Sequence, residues 1–226
     1  RYDVDWDALE EALAREDVAV LLWCNPHNPI GRVWTRDEMT RVARLCVAHD
    51  VVLCSDEVWR ELILDETATP FCGAGSLMDD VDGLRERLIV MTSPSKTYNV
   101  AGCDVAMAYV PDRTLRAHFA RAGADKAEIT PFGYAAMLAA YTDPSCEAWR
   151  QRLLETLRAN RDRVDAALAE DANARALVTW TVPDASYLTW LNCEALVERV
   201  ERSPFEHFLE HGVALSDGAH FSAPRA

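Results

Sequence analysis

Three apolar runs of strand length, Val18–Trp23, Val51–Cys54 and Leu88–Met91, each end in a polar motif, and this pattern limits the fold more than any other feature. Between the first two, Thr35-Arg36-Asp37-Glu38 has the T-x-x-E spacing of a capping box. It opens a helical pattern to about His49, with Met39, Val42, Leu45 and Cys46 on one face. Strand, helix and strand in that order form a βαβ unit, so the strands are expected to be parallel and the crossover right-handed. The prediction is an α/β chain built on an open sheet with parallel strands. Ligands of open α/β sheets gather at the carboxyl ends of the strands. Asn25–Arg32, Ser55–Trp59 and Thr92–Lys96 all follow such ends.

The remaining chain reads as further alternation. Trp6–Leu13 is a helix with Leu9, Ala12 and Leu13 on one face and Asp5 or Asp7 as cap. Met78–Arg87 is expected as a short helix, Val105–Val110 as a strand and Arg113–Arg121 as an amphipathic helix. Thr130-Pro131 is an N-cap followed by proline at the first helical position, and Asp143-Pro144 repeats the device. The second of these opens a long helix to about Asp171, with Trp149, Leu153, Leu157, Val164 and Leu168 at helical spacing. Two strands, Leu177–Thr181 and Ser186–Leu191, are expected around a Val182–Ala185 turn. Helices near Glu194–Glu201 and Pro204–His211 and a strand-like Val213–Leu215 follow. A boundary near Asp171–Ala176 divides a larger domain, 1–171, from part of a small α+β C-terminal domain, 172–226.

Composition narrows the function classes. A formal net charge of −14 argues against a nucleic-acid surface. No apolar run approaches the roughly 20 residues of a membrane span, and the N-terminus carries no leader pattern. The expected compartment is the cytoplasm. Seven cysteines without a C-x-x-C pair fit reduced thiols better than disulfides or zinc, and no metal site is expected.

Lys96 is the residue with the most chemical promise. A lone amine among hydroxyls at the mouth of a buried strand is placed to form a Schiff base, although a solvated loop lysine has the same local sequence. Ser93 and Ser95 alternate along the turn, where their hydroxyls and nearby backbone N–H groups can hold a phosphate. Asp56 fits either a capping or ion-pairing carboxylate or a ligand, and Asn28 before Pro29 fits an Asx-turn as well as a donor. Trp59, taken by itself, fits a core aromatic.

Taken together, NPHNPIGRVW, SDEVW and SPSKTYNVAG, in this order and at this spacing, resemble the fold-type I pyridoxal-phosphate enzymes, the aminotransferase class I/II superfamily. The first and third are most similar to the branch of cystathionine and cysteine-S-conjugate β-lyases, and the resemblance runs from about Arg1 to near Ala226. It implies a three-layer αβα larger domain around a mixed, mostly parallel sheet, and that Lys96 carries pyridoxal 5'-phosphate and serves as the catalytic base. It also implies that Asp56 pairs with the ring nitrogen, that Asn28 donates to the phenolic oxygen, and that Ser93 and Ser95 help hold the phosphate. Trp59 departs from the tyrosine of aminotransferases and the frequent histidine of the lyase branch; an indole N–H donates but cannot accept. Asp104 stands where many members have a phosphate-binding arginine, so its side chain is expected to turn away. Glu57 is expected to be structural, and His27 is not assigned as a base.

The implied reaction is C–S β-elimination on cystathionine or a related cysteine S-conjugate, giving a thiol, pyruvate and ammonia. An aminotransferase using the same residues, and a catalytically impaired regulatory protein on the same scaffold, are the alternatives. A homodimer acting on a small amino-acid substrate, without nucleic acid or membrane, is the implied context. Relatives extend further on the N-terminal side. The remaining phosphate-binding loop and the ring-stacking aromatic are therefore expected before Arg1, and the arginine for the substrate carboxylate just beyond Ala226; Arg225 is not assigned that role.

Overall fold

Asp5 caps the first helix, α1 (Trp6–Leu13), by accepting from Ala8 N–H at 3.1 Å, as its position before an apolar helical face predicts. This computed structural model describes residues 2–65, 69–123, 128–200 and 202–221. The chain divides into two compact units, the first formed by Arg1–Asn160 with Pro183–Thr189 and the second by Arg161–Val182 with Trp190–Ala226.

In the first unit, β1 (Val20–Cys24), α2 (Arg36–Ala48), β2 (Val52–Asp56), β3 (Leu88–Thr92) and β4 (Met107–Tyr109) build one sheet in the order β1-β2-β3-β4. The first three strands are parallel and β4 returns antiparallel to β3. This is the mixed, mostly parallel α/β sheet that the resemblance implies, with the parallel strands that the βαβ spacing predicts. The capping box at Thr35 is complete: its hydroxyl accepts from Glu38 N–H, and the Glu38 carboxylate accepts from Thr35 N–H. Met39, Val42, Ala43 and Cys46 of α2 are buried against Leu53, Leu88 and Val90 on one face of the sheet. Alternation sends Cys54 and Ile89 to the other face, where they meet Val110 and Leu115. Helices α3 (Arg113–Gly123) and α4 (Pro131–Thr142) follow, and α5 (Pro144–Glu170) begins at Pro144, directly after Asp143 as the sequence predicts.

The second unit contains α6 (Ala172–Leu177), a two-residue ladder between β5 (Thr179–Trp180) and β6 (Leu191–Asn192), α7 (Glu194–Val200) and α8 (Pro204–Glu210). Trp180 Nε1 donates to Asp165 at 3.1 Å, tying the ladder to the end of α5.

Four local expectations change. Met78–Arg87 is not a helix; a short 3-10 turn at Ala74–Leu77 precedes it and another, Arg85–Arg87, closes it. Gly83 at φ +83° interrupts the helical path. The strand expected over Val105–Val110 shortens to β4. Val213–Leu215 forms no strand. The hairpin around Val182–Ala185 is replaced by the small β5–β6 ladder, because the Pro183–Thr189 stretch finds its hydrogen bonds in the first unit. Asp184 N–H and Ala185 N–H both donate to Gly31 carbonyl at 2.9 Å, Leu64 N–H donates to Asp184 carbonyl at 2.8 Å, and Ser186 N–H donates to Leu62 carbonyl at 2.9 Å. Among the described residues no helix is long and apolar enough to cross a membrane.

Candidate active site

Parallel register brings the three motifs together. Cys24 pairs with Asp56, and Asp56 pairs with Met91, so the last rung of β1, β2 and β3 is a single row. The row continues past the strands: Asn25 N–H donates to Asp56 carbonyl at 2.9 Å, and Glu57 N–H to Met91 carbonyl at 2.8 Å. The Asn28 loop, Asp56 and the Lys96 loop therefore leave the sheet side by side.

The Asn28 loop is braced from within and from outside. His27 N–H donates to Arg32 carbonyl and Gly31 N–H to His27 carbonyl, both at 2.7 Å. Fully buried Asn25 donates through Nδ2 to Cys72 carbonyl at 3.0 Å and accepts from Trp34 N–H at 3.2 Å. The Arg32 guanidinium is buried, lies 4.3 Å from the centroid of the Trp34 ring and pairs with Glu38. Asn28 itself is exposed at the tip of this braced loop. Burial pushes the His27 imidazole below its ordinary value, so it is neutral near neutral pH and offers no cation to the site.

Asp56 is half-buried, and its Oδ1 accepts from Val58 N–H at 3.2 Å. The turn role is thus met by one oxygen of this carboxylate. Its neighbour Glu57 is buried and structural: Oε1 accepts from Ala74 N–H at 2.8 Å and from Ser55 Oγ at 3.1 Å. Burial raises the Glu57 pKa, against the opposing effects of the Ala74 bond and Arg60.

Ser93 is buried; its Oγ donates to Val105 carbonyl at 2.6 Å, accepts from Ser95 N–H at 3.1 Å and lies 2.7 Å from Ser95 Oγ. That arrangement fastens the lysine loop to the chain entering β4 and leaves the half-buried Ser95 as the outer hydroxyl. Tyr98 N–H donates to Pro94 carbonyl at 2.9 Å and Val100 N–H to Ser95 carbonyl at 3.2 Å, curling the loop around Lys96. Lys96 is half-buried, with Nζ 5.7 Å from the centroid of the Trp59 ring. Trp59 is 4% exposed and packs with Leu62, Leu64 and Leu154. It is at once a core aromatic and the apolar floor beneath the amine. Asp104 adopts a left-handed backbone conformation at φ 50° and is exposed.

Two further features adjoin these loops. A polar cavity of about 700 Å³ is lined by Glu61, Tyr98, Tyr141 and Arg150, with Arg150 donating to Glu61 carbonyl at 2.9 Å. Burial and nearby Glu61 push the Tyr98 phenol up to about 12, so it remains a protonated donor. Tyr187 meets Trp59 edge-on at 4.8 Å between ring centroids. Only a motif joining residues about 130 positions apart could have flagged that contact, and none exists.

The family model for aminotransferase class I and II matches residues 1–226. Cystathionine beta-lyase PatB of Bacillus subtilis (strain 168) is 34% identical over 199 residues, which are 86% of this chain and 48% of the relative. Protein MalY of Escherichia coli (strain K12) is 29% identical over 198 residues, 85% of this chain and 47% of the relative. Among solved structures, cystalysin from Treponema denticola, which contains a pyridoxal 5'-phosphate cofactor, superposes with a TM-score of 0.86 at 25% identity, covering 98% of this chain and 54% of its own. The chain spans about half the length of the curated relatives it matches.

Proposed function

Because the chain belongs to the aminotransferase class I and II family, we propose that it serves a pyridoxal-phosphate-dependent C–S β-lyase that cleaves cystathionine or a related cysteine S-conjugate to a thiol, pyruvate and ammonia. The observation that carries the reading is the single rung Cys24–Asp56–Met91, from which the Asn28 loop, Asp56 and the Lys96 loop leave the same edge of the sheet. The donor set suits the cofactor: one primary amine on an apolar floor, one carboxylate and a hydroxyl at a tight turn.

Pyridoxal phosphate, when bound, supplies an aldehyde for covalent attachment and a ring that takes up the electron pair left at the substrate Cα. Lys96 would provide the attaching amine and would take the Cα proton as general base. Asp56 holds a proton at the ring nitrogen, since a carboxylate beside that nitrogen favours its charged form. Asn28 donates to the phenolic oxygen, Ser95 and the turn N–H groups bind phosphate oxygens with Ser93 shaping the turn behind them, and Trp59 screens the amine from water. The substrate is an amino acid, and the protein works as a homodimer in the cytoplasm; these assignments come with the family reading.

Incubation of the complete protein with cystathionine and no keto acid tests the reaction. Pyruvate release is the expected result, whereas strict dependence on 2-oxoglutarate would transfer the assignment to an aminotransferase. A visible absorption band with added pyridoxal phosphate, abolished by borohydride and absent in Lys96→Ala, is the expected signature of the attachment. A variant that retains that band removes Lys96 from the role.

A further inference from the structure

The segment Pro183–Thr189 packs into the first unit beside the candidate active site. Ser186 is buried at φ +73°, its N–H donates to Leu62 carbonyl at 2.9 Å, and its Oγ accepts from Leu188 N–H at 3.2 Å. A non-glycine residue in that region persists only where its surroundings hold it. Here they fix the backbone on both sides of Tyr187. Leu188 packs into the Trp59 cluster, while the Tyr187 ring stays 48% exposed and meets the indole at 4.8 Å with an interplanar angle of 65°.

A ring so exposed contributes little to the core, yet it meets edge-on the same indole over which Lys96 Nζ lies, 5.7 Å from the ring centroid. We propose that Tyr187 is a positioning residue for Lys96: it acts through Trp59, holding the indole so that the amine is kept over its face. The importance of this contact for catalysis rests on the reading of Lys96 given above, but the contact can be tested without cofactor.

The sequence contains two lysines, Lys96 and Lys126, so each protein molecule carries its own reference amine. Limited acylation with an amine-directed reagent, followed by peptide mass spectrometry, reads the ratio of Lys96 to Lys126 modification. Tyr187→Ala is expected to raise that ratio on the order of fivefold by releasing the amine from its shelf. Tyr187→Phe, which keeps the ring edge, is expected to restore the wild-type ratio, and Tyr187→Leu, which keeps bulk without a ring, to behave like alanine. Urea midpoints for the same variants should stay close to wild type. An unchanged ratio in Tyr187→Ala, or restoration by leucine, overturns the proposal. With added pyridoxal phosphate and borohydride, a wild-type protein that gains no adduct on Lys96 refutes the cofactor reading alone, and the acylation ratio still decides the role of Tyr187.

Discussion

Gly31 and Pro183 approach so closely that a Cβ built on the glycine would lie 2.5 Å from the proline Cβ and 2.7 Å from Ala185 carbonyl oxygen. Gly31 also has φ +66°, where a side chain is strained whatever the space. The loop that presents Asn28 is thus seated against a segment far away in sequence.

Gly31→Ala should accordingly destabilise the protein by roughly 3 kcal/mol, combining left-handed strain with a backbone clash. Urea denaturation measures the loss. Because Asn28 lies in the same loop, the variant should also bind pyridoxal phosphate more weakly, read from the cofactor band. Wild-type stability with alanine at this position would contradict the close seating.

The capping box gives a milder effect. Thr35→Ala should cost about 1 kcal/mol. Burial works against the Glu38 carboxylate, but its bonds from Thr35 and Arg32 outweigh that and hold its pKa below the ordinary range. A carboxylate with a depressed folded value stabilises above its unfolded pKa, and the contribution disappears as pH falls through the folded value. The stability gap between wild type and Glu38→Gln should therefore be widest near about pH 7 and shrink towards about pH 3.

Glu57 should show the opposite sign. Its folded pKa is raised, chiefly by burial, so its stabilising contribution is complete below the ordinary carboxylate range and is lost as pH rises through the folded value. Relative to wild type, Glu57→Gln should fare better near about pH 8 than near about pH 4. Denaturant midpoints across that range decide it; a gap that widens with rising pH would reverse the assignment.

Leu154, 1% exposed, joins the start of α5 to the floor beneath Lys96 through Trp59, Leu62 and Leu64. Leu154→Ala should cost about 3 kcal/mol, as buried leucine truncations do. Thermal or urea unfolding with tryptophan fluorescence as the probe reports both the loss and the change around Trp59. A cost near that of an exposed site would mean that α5 is not packed there.

Some of these relationships are legible residue by residue. Thr35 and Glu38 are three positions apart, Asp5 precedes an apolar helical face, and Pro131 and Pro144 each follow a residue suited to cap a helix; these are local rules that hold wherever the helix lies. Met78–Arg87 failed because helical spacing of Val81 and Leu84 also suits two tight turns, and Gly83 selects the turns. The hairpin at Val182–Ala185 failed because its turn residues have no local sign that their N–H groups are destined for Gly31 and Leu62.

The sequence by itself determined the βαβ order, the caps, and the three motifs at strand ends, since each depends on hydrogen bonds or apolar periodicity within a few residues. Only the tertiary structure decided that Pro183–Thr189 braces the Asn28 loop and that Tyr187 meets the indole over which Lys96 lies. The physical reason is that backbone groups in a turn-rich segment must be satisfied by whichever partners packing brings near, and chain separation does not enter that choice.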